Sequence, residues 1–447
     1  MKRSPLRFLF LSPEIRNRLL ISIALLILYR FVAHVPVPGI DRGAIAQVLS
    51  GSGQGQTLFG LLDLLSGGTV SNFSVLAMGV YPYITAQIIL QLLVPIIPAL
   101  QRRMEEDPRE GRKWMEKWTY YLAVPMAALN AIGQIRLFQQ YAFGQGNSIV
   151  TSPIGFNLST ITTVLTMTAG TMFAIWLGEL ISEYGVQNQG LSLIIFAGIV
   201  SRIPVNFAQI LTDEASNFWV TLFFLAVIMV LTIFAIVYVQ EGRRNVPVMY
   251  PGRRVGNRMS MPVKGTLPLM VNMAGMIPII FAQSLLTFPA VVAQFFIGSA
   301  NETVASIATW FQSVFGGVSD AYWIMYFLMV VGFTFFYTDV LFAQQNYGEN
   351  LKRSGAQVPG VTKGAATQRY LTRVLRRITF PGAVFLGIVA IMPYLVGLIA
   401  PMGGSSSGLL LVSSSGLLIV VGVVRDLYRS IEAELKLRGY DSAVLVR

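Results

Sequence analysis

Ten long apolar runs constrain this chain of 447 residues more than any other feature. They lie near 19–37, 72–97, 117–138, 156–182, 191–212, 217–240, 267–297, 321–342, 378–400 and 408–427. A helix of about 20 apolar residues crosses the hydrocarbon core of a bilayer. A membrane β-barrel would instead show alternating segments of about ten residues, and these runs do not alternate. Only 12% of the residues are charged, about half the share usual in soluble domains. The expected fold class is an all-α polytopic membrane protein with ten transmembrane helices.

Charge sets the orientation. Twenty-nine of the 33 Lys and Arg residues fall in the N-terminal segment, the loops after the second, sixth and eighth runs, and the C-terminal region. With ten spans, all of these lie on one side. By the positive-inside rule that side is the cytoplasm, and both termini lie there. The opposite loops, around 41–56, 139–155, 298–320 and 401–407, hold only Arg42 among the basic residues. A cleaved leader is not expected. Phe8–Leu11 is too short an apolar region, and no small-residue cleavage site follows the run at 19–37.

The spans divide five and five, which inverts one half relative to the other, as in many transporters and channels. The expected organisation is a cytoplasmic N-terminal segment at 1–18, a first half at 19–212, a second half at 213–427, and a cytoplasmic tail at 428–447. A short apolar piece at 58–66 is extra. As a helix it reaches roughly 15 Å, half of what a bilayer needs. Gly67-Gly68 suits its end and Ser71-Asn72 the N-cap of the next helix. A half-helix at membrane depth needs protein or water around it. It either closes a cavity or lies on the surface.

Familiar catalytic chemistry is missing. There is no phosphate-binding loop, and the single His34 cannot form a zinc site with a second histidine. No Ser/His/Asp arrangement is readable, and the absence of Cys excludes thiol and disulfide chemistry. No catalytic residue, metal or cofactor is expected. Charges near span ends (Arg30, Arg136, Glu179, Arg202, Asp339) do not form the midplane relay that a proton-coupled pump needs. The uncharged polar residues Thr85, Gln87, Gln91, Asn272 and Gln283 lie within spans. They either bond neighbouring helices or form a hydrophilic seam along which two spans part. Two basic loops, 241–266 and 343–377, exceed what orientation requires. They serve orientation alone, or dock an acidic or RNA-bearing partner. A small-solute transporter of inverted architecture is the alternative to a channel.

Several ordered motifs narrow this choice. They include Val35-Pro36-Val37-Pro38-Gly39-Ile40-Asp41, Ser66-Gly67-Gly68, Gly79-Val80-Tyr81-Pro82-Tyr83-Ile84, Gly170-Thr171-Met172-Phe173 and Trp176-Leu177-Gly178-Glu179. Further along come Phe196-Ala197-Gly198-Ile199-Val200, Asn272-Met273-Ala274-Gly275-Met276-Ile277-Pro278, Phe335-Phe336-Tyr337-Thr338 and Val358-Pro359-Gly360. With these motifs the chain resembles the SecY/Sec61-alpha family of protein-conducting channels along nearly its whole length.

The resemblance implies a bacterial inner-membrane channel that passes unfolded secretory polypeptides and releases signal or transmembrane segments sideways into lipid. It implies a plug at 58–66, with Leu61, Leu62, Asp63, Leu64 and Leu65. It implies a pore ring of Val80, Ile84, Leu191, Ile195, Ile280 and Ile419; an apolar constriction dewets and resists ions. Gln87, Gln91, Asn272 and Gln283 would line a lateral gate between the second and seventh spans. Arg243, Arg244, Arg253, Arg254, Lys352, Arg353, Thr362, Lys363 and Arg369 would lie on the docking surface for the ribosome and the SecA ATPase. SecE and SecG would be the small membrane partners, and signal sequences, unfolded preproteins and membrane lipids the remaining ones. One motif departs from the family. Gly360-Val361-Thr362-Lys363-Gly364 stands where Gly-Ile-Arg-Pro-Gly is common, which puts Thr362 at the position of the docking Arg.

Overall fold

The computed structural model describes residues 13–40, 73–143, 157–186, 189–212, 218–251, 254–255, 258–259, 263–297, 301–316, 319–399 and 405–437. Its helices begin with α1 (Pro13–Val32), α2 (Tyr81–Ile96), α3 (Pro98–Glu106), α4 (Pro108–Phe143), α5 (Leu158–Tyr184), α6 (Gly190–Thr212) and α7 (Phe218–Glu241). Four strands follow: β1 (Arg243–Tyr250), β2 (Arg254–Val255), β3 (Arg258–Met259) and β4 (Val263–Met270). Then come α8 (Ile277–Ile297), α9 (Glu302–Phe315), α10 (Asp320–Gln345), α11 (Tyr347–Arg353), α12 (Ala365–Ile399) and α13 (Ser405–Leu437). A helix stands at each of the ten apolar runs. Among the described residues, 158–184, 320–353 and 365–392 have spanning length, and each holds an 18-residue stretch of high mean hydropathy, 1.5, 1.8 and 1.7 respectively.

The second span starts later than the sequence suggests. The expected N-cap, Ser71-Asn72, lies outside the described residues, as does the piece at 58–66. Helix α2 begins at Tyr81 with Pro82 in its first turn, where a residue without an N–H costs nothing. Residues 73–80 form a buried turn instead: Phe73, Ser74, Leu76, Ala77, Met78 and Val80 are all at most 2% exposed. The Val35-Pro36-Val37 motif holds this turn. Val37 N donates to Phe73 O at 3.3 Å, and Val75 N donates to Val35 O at 2.9 Å. On the other side stands Gly170 of α5, where a Cβ would sit 2.0 Å from the Val75 carbonyl oxygen. Three motifs distant in sequence thus meet at one junction.

The chain forms two compact units. The first comprises Met1–Phe223, Ser284–Tyr322 and Pro393–Arg447; the second comprises Phe224–Gln283 and Trp323–Met392. All five helices of the expected first half fall in the first unit, together with parts of the second half. In the first unit α2 packs on α4, α4 on α5, and α5 on α6; α1 touches α5 and α6, and α13 runs along α6. Helices α5 and α6 approach to backbone contact. A Cβ on Gly190 would stand 1.7 Å from the Gly178 carbonyl oxygen, and Gly190 N donates to Ser182 Oγ at 3.0 Å.

In the second unit the two basic loops fold together into one packed body. Strands β1 and β4 pair antiparallel from Arg243↔Met270 to Tyr250↔Val263. The period of two carried by Val246 and Val248 puts both on one face. With Leu269 they form a core against Phe342, Leu351, Val358, Leu371 and Leu375. The second loop adds a rung to β1: Met249 N donates to Gln357 O at 2.8 Å and Gln357 N to Met249 O at 3.0 Å. Gly355, Gly360 and Gly364 turn this segment at φ of +74°, +78° and +89°, a region that glycine enters freely. Helix α12 begins at Ala365 rather than near 378, so its first turns belong to this folded body.

Candidate pore, gate and docking surface

Four of the six candidate ring residues lie on two elements of the first unit, α2 with its N-cap and α6. Val80 is the N-cap of α2 and is 1% exposed. Ile84 is one turn on, its N–H donating to Val80 O at 3.1 Å. Both positions therefore project from the same end of α2. Leu191 and Ile195 are four residues apart on α6, which places them on one face. Leu191 rests on the cluster of Tyr83, Ala86, Ala123 and Ile175. Its close fit depends on Gly178, where a Cβ would come 2.7 Å from Leu191 Cδ2. Ile419, buried on α13, is the fifth first-unit candidate, and α13 packs along α6. Ile280 is buried in the first turn of α8 and belongs to the second unit. The plug residues Leu61, Leu62, Asp63, Leu64 and Leu65 lie outside the described residues.

The gate candidates divide between the units. Gln87 and Gln91 are half-buried on α2. Asn272 and Gln283 are both 2% exposed and belong to the second unit. Asn272 corrects the sequence reading, because it precedes α8 instead of lying on a span. Its amide closes a turn: Nδ2 donates to Gly275 O at 3.1 Å and Oδ1 accepts from Gly275 N at 3.0 Å. The cause is local. Strand β4 extends to Met270, and Asn is suited to bridge a tight turn through its own side chain.

Sequence reasoning missed a polar pair that joins α2 to α8 within the first unit. Tyr81 makes a side-chain hydrogen bond to Ser284. Ser284 and Thr287 are each 4% exposed on α8, one turn apart. Tyr322, also buried, is close enough to interact electrostatically with Tyr81. The signal was present in the sequence: Tyr81 sits in a quoted motif, and Ser284 follows Gln283. A hydroxyl on an apolar helix rarely announces a partner on another one.

The docking candidates of the second unit line its polar outside. Arg243 is held by Glu241 at 2.7 Å. Lys352 and Arg353 share Glu349 at 3.7 Å each. Arg244, Thr362 and Arg369 are exposed. Lys363 donates from Nζ to Gly355 O at 3.1 Å, and an ammonium has three donors, so two remain for another molecule. Arg253 and the side chain of Arg254 lie outside the described residues. These cations are mounted on a packed hairpin and two helices, which keeps their spacing fixed. Among the described residues no group of three or more His, Cys, Asp or Glu gathers as a metal site would.

Comparison with known proteins adds an independent line. A family model described as SecY matches residues 74–428. The chain is 37% identical over 447 residues to protein translocase subunit SecY of Aquifex aeolicus, covering 98% of this chain and 99% of that one. It is 34% identical over 440 residues to the subunit of the same name from Streptomyces scabiei, covering 97% of both. Its fold is similar to a solved structure described as a protein-conducting channel, with a TM-score of 0.61 at 18% identity over 97% of both chains. A structure concerned with the plug domain of SecY and its membrane seal gives 0.58 at 18% identity, again over 97% of both. Sec61 in a canine ribosome–channel complex gives 0.57 at 17% over the same shares.

Proposed function

Because the chain belongs to the SecY family, we infer that it is the channel-forming subunit of a protein translocase. It is a multi-pass membrane protein that passes unfolded secretory polypeptides across the membrane and releases signal or transmembrane segments laterally into it. The observation that carries this reading is the relationship of 34–37% identity over 97–98% of the chain. It covers all ten apolar runs.

The finer assignments fit this reading. The ring of Val80, Ile84, Leu191, Ile195, Ile280 and Ile419 is the constriction, and the 58–66 segment is its plug. The gate lies where Gln87, Gln91, Asn272 and Gln283 line α2 and the start of α8. The chain itself catalyses no bond chemistry; its part is gating. Force for movement comes from partners that bind the folded basic body of the second unit. The ribosome is one, in keeping with the likeness to Sec61 of a ribosome–channel complex. The SecA ATPase is another, and SecE and SecG complete the membrane complex. The membrane is the bacterial inner membrane, with both termini in the cytoplasm, as the distribution of Lys and Arg indicates.

Reconstitution tests this function. Proteoliposomes holding the purified chain with SecE and SecG receive SecA, ATP and an unfolded preprotein. The expected result is preprotein protected from external protease, and protection equal to that of vesicles lacking the chain would contradict the reading. Single Cys residues at Gly51, Arg253, Lys363 and Ser405 test the orientation, and the chain offers a background free of Cys. An impermeant thiol reagent on intact cells is expected to label the first and last positions only.

A further inference from the structure

An open groove of about 730 Å³ in the second unit is lined by α10 and α12. Arg369, Arg373, Arg376 and Arg377 form its rim, and Phe335 and Phe380 form its floor. On α12 the five positions recur at spacings of four, seven, eight and eleven residues from Arg369, which gathers them on one helical face. Such density of one charge needs a counterion. Among the described residues, Arg376 alone of the four pairs with a carboxylate: Asp339 accepts from its Nε at 3.1 Å and its Nη2 at 2.8 Å. Among the described residues, no ion pair involves Arg369, Arg373 or Arg377.

The floor distinguishes this face from an ordinary basic surface. The rings of Phe335 and Phe380 lie 6.5 Å apart, and Phe380 is 60% exposed. Arg377 and Phe380 are one turn apart, about 4.5 Å along the axis. Phe380 lies in the apolar run 378–400, and Arg377 stands at its edge. Guanidinium groups one turn from an exposed aromatic floor on a membrane helix match the boundary between headgroups and acyl chains. An acidic protein or an RNA would neutralise Arg369 and Arg373 but has nothing to cover Phe380 at that depth.

We propose that this groove binds a phospholipid with an anionic headgroup, its phosphate between Arg373 and Arg377 and an acyl chain across Phe335 and Phe380. The site rests on the membrane placement of α12 and on no feature of the pore or gate. It gives the cytoplasmic end of α12 a fixed lipid ligand. Basic side chains at a membrane surface each add to attraction for anionic lipid, so removing two has a measurable effect.

Native mass spectrometry of the full-length chain in its purified membrane complex tests this. Phosphatidylglycerol and phosphatidylcholine are titrated in separate arms and the retained lipid is counted. Retention is expected to favour phosphatidylglycerol, and the pair R373Q/R377Q is expected to lower it roughly tenfold. The pair R373K/R377K keeps the charge and is expected to keep most of the retention; F380S is expected to weaken it. The pair R112Q/K113Q, on α4, is expected to change nothing. Equal retention of both lipids would overturn the proposal. So would unchanged phosphatidylglycerol retention in R373Q/R377Q accompanied by weaker ribosome association, which would make the face a protein or RNA surface. Displacement of the lipid by millimolar inorganic phosphate would likewise overturn it, in favour of a free-phosphate site. If R373Q/R377Q fails to assemble, F380S decides, since its exposed side chain is dispensable to packing.

Discussion

The α5–α6 junction of the first unit and the hairpin body of the second are held together by different means. At the junction, backbone meets backbone. There Gly190 lies against the Gly178 carbonyl, and where α5 meets the turn before α2 Gly170 lies likewise against that of Val75, with no room for a Cβ at either. In the hairpin body, side chains fill the space between elements, with Val246, Val248, Leu269, Phe342, Leu371 and Leu375 buried together. Small residues let membrane helices approach closely where lipid supplies little hydrophobic drive. A body in water is held by the apolar area it buries. The lesson is that the two regions tolerate different changes. The junction admits no added atom, whereas the hairpin body can change its whole surface if its core is kept.

The largest effect is expected from G190V at the junction. Two branches beside a backbone oxygen leave nothing flexible to move, so a loss beyond about 4 kcal/mol is expected. Accumulation of the protein in membranes and its resistance to protease would check this. Normal accumulation would remove the distinction between the regions.

Next comes L371A in the hairpin body. A cavity there is expected to cost about 2–5 kcal/mol, confined to the second unit's cytoplasmic part. Membrane insertion is expected to persist while the 241–270 segment becomes sensitive to limited proteolysis and ribosome binding falls. Smaller still is the effect of K352E/R353E on stability, within about 0.5 kcal/mol. Partner affinity is expected to fall all the same, and more steeply at low salt, where screening is weak. If L371A and K352E/R353E behaved alike at every salt concentration, core and surface would not be separable. The stability change expected from Y81F, which removes the hydroxyl bonded to Ser284, lies between those of L371A and K352E/R353E. One such bond contributes about 0.5–1.5 kcal/mol. A modest shift in unfolding temperature would register it.

Much of this was legible in the sequence. The apolar runs located ten helices because length and hydropathy decide whether a segment crosses a bilayer. The basic loops marked the second unit's exposed surface because charge distribution follows orientation. Helix starts were less legible. The run at 72–97 is apolar throughout, yet Pro82 and the buried turn before it delay α2 to Tyr81. Hydropathy cannot distinguish a buried turn from a buried helix. Asn272 was misplaced for the same reason, since the end of β4 and its turn, 267–276, run into the helix without a charged residue. The hairpin itself was hidden by Pro247 and Pro268, which suggest loops. A two-stranded ribbon accepts them because each proline can turn its nitrogen away from the partner strand. The Tyr81–Ser284 pair depends on a tertiary contact that no local pattern encodes.

The central claim is that this chain forms a polypeptide channel sealed at rest by an apolar ring and the segment at 58–66. Conductance of single complexes in planar bilayers, without substrate, measures this most directly. The wild-type complex is expected to be silent. Deletion of 58–66 and the pair I84N/I195N are each expected to assemble normally and to leak ions, because polar side chains let a constriction wet. Exchange of one apolar residue for another on the lipid-facing side of α6 is expected to leave it silent. Silence in both the deletion and the I84N/I195N complex, with normal assembly, would contradict the account.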